Sequence, residues 1–239
     1  MVINWLASGS LLNIAEYRFS SRLGGVSAVP FDELNLANWV GDDPAKVKAN
    51  KELLAQSTGL QLHFMEPEHG TVVQDVTGDE VMLKKADLLV TTKKLVALVA
   101  PSADCVSLVA TSAKKPFLLL AHIGWRGAAA GIAQKILTTA SIYGINSTDL
   151  NLILGPAICG HCYPVSKEVQ LAVTENLPAA ELNKKGHSGV DLRVGLTDFF
   201  IKSGVTVTNS LPCTFETEAL YSYRREGRTG RQAVIAWLT

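Results

Sequence analysis

The chain has 239 residues, 47% of them apolar and 18% charged, with a formal net charge of zero. Such a composition can bury a sizeable core, which excludes a disordered chain, and the length fits one large domain or two small ones. No charge excess points to nucleic acid or an anionic membrane surface as partner, although a local basic pocket is compatible with a neutral total.

The N-terminal MVINWLASGS lacks a basic leader followed by a long apolar core, and no apolar run reaches the ~20 residues that span a bilayer, so a soluble, cytoplasmic protein is expected. Leu11 to Phe19 alternates loosely and reads as one strand. A loop dense in Gly, Ser and Pro follows, in which Gly24-Gly25 permits positive φ or a close backbone approach. Asp43 reads as an N-cap with Pro44 at the first helical position, and the helix runs to about Gln56 with Val47, Leu53 and Leu54 on one side. HFMEPEHGTVVQDV is strand-like but interrupted at Pro67 and His69-Gly70. ADLLVTT, KLVALVA, SLVA and PFLLLAH are apolar runs of strand length, as expected of strands buried on both faces or at a seam between sheets.

GWRGAAAGIAQKILTTASIYG switches to helical periodicity through Ile132, Ile136, Leu137 and Ile142, with Gly144 as its stop. NLILGPAICGHCYPVS reads as a strand and a tight loop. SKEVQLAVTENL is a helix capped by Ser166, and DLRVGLTDFFIKSG is a second helix ending at Gly204. VTVTNSL is a strand, and LYSYRREGRTGRQAVIAWL is a basic loop followed by a closing strand. No repeat or linker divides the chain, so residues 1–239 are expected to form a single α+β domain with mixed sheets.

Three groups of residues carry possible chemistry. His69, Cys105 and His122 each end or follow a strand-like run. They are far apart in sequence, so spacing alone leaves open whether they converge or are unrelated core and loop residues. Converged, they make a His₂Cys set with an open fourth position, as in catalytic zinc sites, where the ion acidifies bound water. A metal-free thiolate–imidazolium pair of Cys105 and His122 is the competing chemistry. Cys159-Gly-His-Cys162 has the form of a redox or metal CxxC. It lies between Gly155-Pro156 and Tyr163-Pro164 with no thioredoxin-like lead-in, and a second metal would need two more ligands where Cys213 is the one remaining cysteine, so ordinary loop residues are the expectation. Among the arginines, Arg22 and Arg126 sit in Gly-rich turns and are candidate anion ligands, whereas Arg228 and Arg231 read as a solvated face. Trp39, Trp125, Tyr163, Tyr221 and Tyr223 offer either a stacking wall for a flat base or core packing. No GxGxxG, Walker A, HExxH, GxSxG or HxE…PCxxC pattern occurs.

Taken together, SSRLGGVS, EHGTVV, ADLLVTT, SADCVSLV, AHIGWRGAAAGI, LGPAICGHCYPVSKEV, CTFE and LYSYRREGRTGR resemble the YfiH-type laccase-domain family nearly end to end. That family was once associated with polyphenol oxidase activity and is now associated with purine nucleoside phosphorylase and adenosine deaminase activities. The resemblance implies an α/β/β/α-layered fold similar to the catalytic domain of cytotoxic necrotizing factor toxins, in which the equivalent Cys and His form a nucleophile pair. It implies a metal, Zn²⁺ with Cu²⁺ as the alternative, held by His69, Cys105 and His122. It implies phosphorolysis of adenosine, inosine or guanosine to base and ribose 1-phosphate, with adenosine deamination as a second activity. Catalytic roles then fall to Cys105, His122 and Arg126. Arg22, Asn35, Arg126 and Tyr163 are the expected substrate or phosphate contacts, and Asp104 is expected either to hydrogen-bond a ligand histidine or to cap its own turn. Two departures stand out: Pro67 occupies a position where the family usually has Gln, and Ser107 one where Pro is frequent. A copper-dependent phenol oxidase, a Cys-His amide or ester hydrolase and a non-catalytic zinc protein are the competing functions.

Overall fold

The computed structural model describes residues 3–80, 84–184, 186–209 and 211–239. Among these, two large sheets pack face to face. One is ordered β1 (Trp5–Leu11), β2 (Ala15–Ser20), β13 (Gln232–Leu238), β6 (Ala97–Ser102), β3 (Leu62–Phe64). The other is ordered β12 (Thr206–Thr208), β9 (Leu150–Leu154), β7 (Val106–Ser112), β8 (Leu118–Ile123), β5 (Leu88–Thr91), β4 (Val73–Asp75). Both mix parallel and antiparallel pairs: β3 runs parallel to β6, and β4 parallel to β5, beside antiparallel neighbours.

The period of the strands explains why the central ones are largely apolar on both faces. In β7, Leu108 and Ala110 face the helices outside, while Val109 faces the opposite sheet. In β8, Leu119, Ala121 and Ile123 point outward, whereas Leu118 and Leu120 point into the seam. There they meet Phe19, Leu98, Ala100, Val234 and Ala236 of the other sheet. His122 continues the inward-facing register at the end of β8, which delivers its ring to the mouth of the seam. The outer face of the β7–β8 sheet is covered by α2 (Trp125–Ala129), α3 (Ile132–Ile142), α4 (Lys167–Asn176) and α5 (Leu192–Lys202), through Ile132, Ile136, Val173, Leu196 and Phe200. The outer face of the other sheet is covered by α1 (Pro44–Thr58) and the loop before it, through Leu54, Leu34 and Leu36. Each fully buried Leu of this kind contributes roughly 1.5–3 kcal/mol. The result is the expected α/β/β/α layering.

Local chemistry sets the element ends. Asp43 accepts a hydrogen bond from the Ala45 amide, and Gly59 closes α1 at φ 69°. Ser166 caps α4 by accepting from Val169 N, as expected, and Asp191 caps α5. Two expectations are corrected. Leu11–Phe19 is not one strand but the turn and second strand of a hairpin with Trp5–Leu11, because Leu12 and Asn13 both take positive φ and turn the chain between β1 and β2. The helix expected after GWRG is two helices, because Gly131 at φ 78° breaks the run between α2 and α3, and Ile142, expected on the apolar face, ends α3 off its buried side and is exposed. A small hairpin, β10 (Glu181–Lys184) with β11 (His187–Val190), has no counterpart in the elements read from the sequence. Ser210, within the strand expected over 205–211, lies outside the described residues. The basic C-terminal segment contains a short helix, α6 (Tyr223–Glu226), before β13, which takes a central place in its sheet. Among the described residues no helix is long and apolar enough to cross a membrane.

Candidate active site

His69, Cys105 and His122 converge at the mouth of the seam, each offering one ligand atom, and these atoms lie within 4.8 Å of one another. Cys105 ends the turn from β6 to β7, a turn made possible by Asp104 in the left-handed region at φ 86°. His122 stands on β8 opposite Ser107 of β7. His69 lies in the loop from β3 to β4, also at positive φ. Its ring meets that of His122 edge-on, with centroids 5.1 Å apart.

The loop carrying His69 is held by a residue that the motifs had not singled out. Asp87 is fully buried, and its carboxylate accepts from Glu68 N at 3.0 Å and Val72 N at 3.1 Å. Its carbonyl accepts from His122 N at 2.8 Å. One residue, through its carboxylate and its backbone carbonyl, therefore ties the loop of the exposed histidine to the buried one. The available signal was a lone carboxylate opening the otherwise apolar ADLLVTT, since a buried carboxylate must find donors. The two glycines of GWRG make room. A Cβ on Gly124 would lie 3.0 Å from Cys105 Sγ and 3.3 Å from His69 Cδ2, and one on Gly127 would lie 2.9 Å from the Gly70 carbonyl of the His69 loop.

The imidazoles are in the neutral form a metal requires. His122 Nδ1 is 3.0 Å from the Pro101 carbonyl, which fixes the proton there and leaves Nε2 as a bare lone pair. That Nε2 is buried with no hydrogen-bond partner. Burial lowers the His122 pKa to about 3, with His69 adding to the shift, and raises the Cys105 thiol to about 12, with Asp104 adding to it. Burial likewise lowers His69, partly offset by Asp87. Two neutral imidazoles and a half-buried thiol around an orphaned nitrogen fit a borderline divalent cation, which would displace the thiol proton. A thiolate–imidazolium pair needs the opposite shifts.

Above the trio lies a cavity of about 390 Å³. Trp39, Trp125, Tyr163 and Tyr223 line it, together with Arg126, Arg224 and Arg231. Arg126 stacks on Trp125 at 4.4 Å and Arg224 on Tyr163 at 4.7 Å. Arg231 is anchored by the Thr229 and Gly230 carbonyls. Its assignment to a solvated face is thus corrected, whereas Arg228 stays outside the cavity and bonds the Gly41 carbonyl. Pro67 lines the cavity in place of a polar group.

Other expected residues lie elsewhere. Arg22 is sequestered by Asp32 at 3.2 Å and Glu226 at 2.6 Å, with its guanidinium over Tyr221, so its charge is already matched. Asn35 is fully buried and braces the preceding loop through Ala37, Asp42 and the Arg231 amide. Tyr221 is also fully buried and donates to the Phe31 carbonyl. Asp104 does not reach a ligand histidine, since the Pro101 carbonyl fills that role. Its carboxylate accepts instead from Thr214 Oγ1 at 2.6 Å and Arg224 N at 2.7 Å, which locks the Cys105 turn to the cavity wall.

Comparison with known proteins agrees with this architecture. Residues 16–239 match the family described as multi-copper polyphenol oxidoreductase laccase. The chain is 36% identical over 228 residues to a purine nucleoside phosphorylase of Corynebacterium glutamicum, covering 92% of this chain and 93% of that one. It is 31% identical over 226 residues to the purine nucleoside phosphorylase YfiH of Escherichia coli, covering 92% of each. The crystal structure of Neisseria meningitidis protein NMB0706 superposes with a TM-score of 0.89 at 30% identity, covering 98% of this chain and 99% of that one. YlmD from Geobacillus stearothermophilus superposes at 0.88 and 29% identity, over 94% of this chain and 92% of that one. A family match over nearly the whole length, and relatives covered just as fully, mean that the chain belongs to the YfiH-type laccase-domain family.

Proposed function

We propose that this chain is a metal-dependent purine nucleoside phosphorylase, with zinc held by His69, Cys105 and His122. The observation that carries the metal is the buried, partnerless Nε2 of His122 beside Cys105 Sγ and His69. Held by these three residues, the ion would supply Lewis-acid chemistry, three protein ligands being typical of catalytic rather than structural zinc.

The side chains of the cavity account for the rest of the reaction. Arg126, Arg224 and Arg231 offer guanidinium forks to inorganic phosphate. Trp39, Trp125, Tyr163 and Tyr223 offer flat faces to a purine. Tyr163, its phenol raised to about 12 by burial, stays protonated and can donate a hydrogen bond. A phosphate oxygen forms the bond to C1′ as the glycosidic C–N bond breaks. The base leaves with the electron pair of the broken bond and takes up the proton that dihydrogen phosphate gives up, and the arginines hold the phosphate against the developing oxocarbenium carbon. Deamination of adenosine is the second activity the same cavity supports: water adds at C6 and ammonia leaves, giving inosine.

The phenol-oxidase reading is less well matched. Reduction of O₂ by several coppers calls for many imidazoles, and among the described residues only His69 and His122 lie in a cluster of potential metal ligands. The direct test is incubation of purified protein with adenosine and phosphate, followed by chromatography. Adenine and ribose 1-phosphate, with a smaller yield of inosine, are expected. Product no greater than that of a Cys105→Ala control would remove the enzyme reading. Metal analysis of the same preparation separates zinc from copper.

A further inference from the structure

A second set of ligand atoms gathers on segments that adjoin the cavity wall at Tyr163 and Asp104. Cys159 precedes and Cys162 ends a single 3₁₀ turn, Gly160–Cys162, and Cys213 and Glu216 come from the segment leading to α6. The four ligand atoms lie within 4.8 Å of one another. Cys162 Sγ and Glu216 Oε1 are 3.5 Å apart, and the Cys159 amide donates to Cys213 Sγ at 3.3 Å. A tetrahedral ion with Zn–S bonds of about 2.3 Å needs ligands about 3.8 Å apart, so little contraction is required. From this geometry we infer that Cys159, Cys162, Cys213 and Glu216 form a second, structural zinc site, separate from the trio on which the proposed reaction rests.

The surroundings are built for it. The CxxC turn is closed by the Cys162 amide donating to the Cys159 carbonyl at 3.0 Å. Gly160 is pinned to Asp191, leaving no room for a Cβ, which would fall 2.8 Å from Asp191 Cβ. The opposite segment is preorganised by two arginines. Arg225 Nη1 donates to the Thr214 and Phe215 carbonyls, and Arg193 Nη1 to the Leu211 carbonyl. A backbone bridge between Ala157 and Cys213 joins the two strips. Three thiolates and a carboxylate around a dication leave net negative charge, and the Arg225 guanidinium bonded to the ligand segment offsets part of it. With four protein ligands there is no open position, so the ion would clip rather than catalyse. What it clips is the wall of the active cavity: Ile158 N donates to the Asp104 carbonyl, and Thr214 Oγ1 to the Asp104 carboxylate.

The test uses full-length protein with Cys105→Ala, which disables the first site, reduced and stripped of metal. Titrated with Zn²⁺ alone under a thiol reductant, it should bind about one equivalent tightly. Adding Cys213→Ser should abolish that equivalent. Cys105→Ala protein that binds none overturns the proposal. Because Cys213→Ser could also unfold the chain, Co²⁺ is added to the reduced wild-type protein as well. Thiolate charge-transfer absorption that largely survives Cys105→Ala supports three cysteine ligands, and absorption that vanishes with Cys105→Ala overturns them. Thiol counting closes the alternative. Zn²⁺ should shield Cys159, Cys162 and Cys213 from a thiol reagent in the Cys105→Ala chain, and unshielded thiols again defeat the inference.

Discussion

Two clusters of soft ligands lie on the two sides of one wall, and they differ in what completes them. His69, Cys105 and His122 present three ligand atoms beneath an open cavity lined with guanidinium groups and aromatic rings. Cys159, Cys162, Cys213 and Glu216 present four, with arginines turned to backbone carbonyls rather than to a cavity. The number of protein ligands and the direction in which nearby charge points, more than ligand type, separate a site that can accept a substrate from one that can only hold the chain. Asp104 joins them: it precedes Cys105 in the chain and accepts from Thr214 next to Cys213.

Removing a ligand from each side gives the sharpest contrast. Cys105→Ala should lower nucleoside turnover by more than about 100-fold, since losing a direct ligand exceeds the 10–100-fold typical of supporting groups. It should leave thermal stability nearly intact. Cys213→Ser should do the reverse, with a fall in melting temperature that a chelator reproduces in the wild type and a much smaller loss of turnover. If the two variants lose the same property, the division of roles is wrong.

Asp87→Ala comes next. It leaves the Glu68 and Val72 amides without their acceptor, at about 1–3 kcal/mol for each buried unsatisfied group, and frees the His69 loop. Metal affinity at the trio should fall about 10–100-fold while that of the cysteine-rich cluster holds. Competition with a coloured chelator measures both in one titration. Arg126→Ala should have a smaller effect, raising the KM for phosphate about tenfold with little change in metal content, the scale of one charge-assisted hydrogen bond. An unchanged phosphate KM would pass the anion role to Arg224 and Arg231.

Much of this was readable before any coordinates. The strands β5, β6, β7, β8 and β13 are largely apolar because both of their faces are buried, and that pattern needs no tertiary information. Helix α1 announces itself through Asp43-Pro44, while its Gly59 stop emerges only from the structure. The trio was visible as residue types and, through the resemblance, as a set, but its convergence depends on the seam between sheets that brings β8 beside the turn after β6. Long-range pairing of that kind leaves no local signature. The same limit hid Glu216, an ordinary exposed acid until the chain folds it against Cys162. Arg231 lines the cavity and Arg22 does not, for a physical reason. A Gly-rich turn invites an anion only if no carboxylate is nearer, and Asp32 and Glu226 are nearer to Arg22.

Glu226 also supplies the mildest test of how the two sides differ. Burial pushes its carboxyl up, but hydrogen bonds from Thr229, Arg225 and Arg22 outweigh that and hold its pKa below the ordinary value. A carboxylate depressed in the folded state contributes stability above its unfolded pKa of about 4.3, and loses it as pH falls toward the folded value. Glu226→Gln should therefore be less stable than wild type at neutral pH, with the gap closing as the solution is acidified below about pH 4. Arg225 is the link to the comparison, because the same guanidinium that meets Glu226 also holds the Thr214 and Phe215 carbonyls beside Cys213. In Glu226→Gln at neutral pH, amide exchange should quicken first around Cys213–Thr217, on the cysteine-rich side. The His69 loop is tied by Asp87, with no contact to this network, and its protection should stay as it was. Equal loss of protection on both sides would mean that the wall moves as one body and that the two clusters are not independently braced.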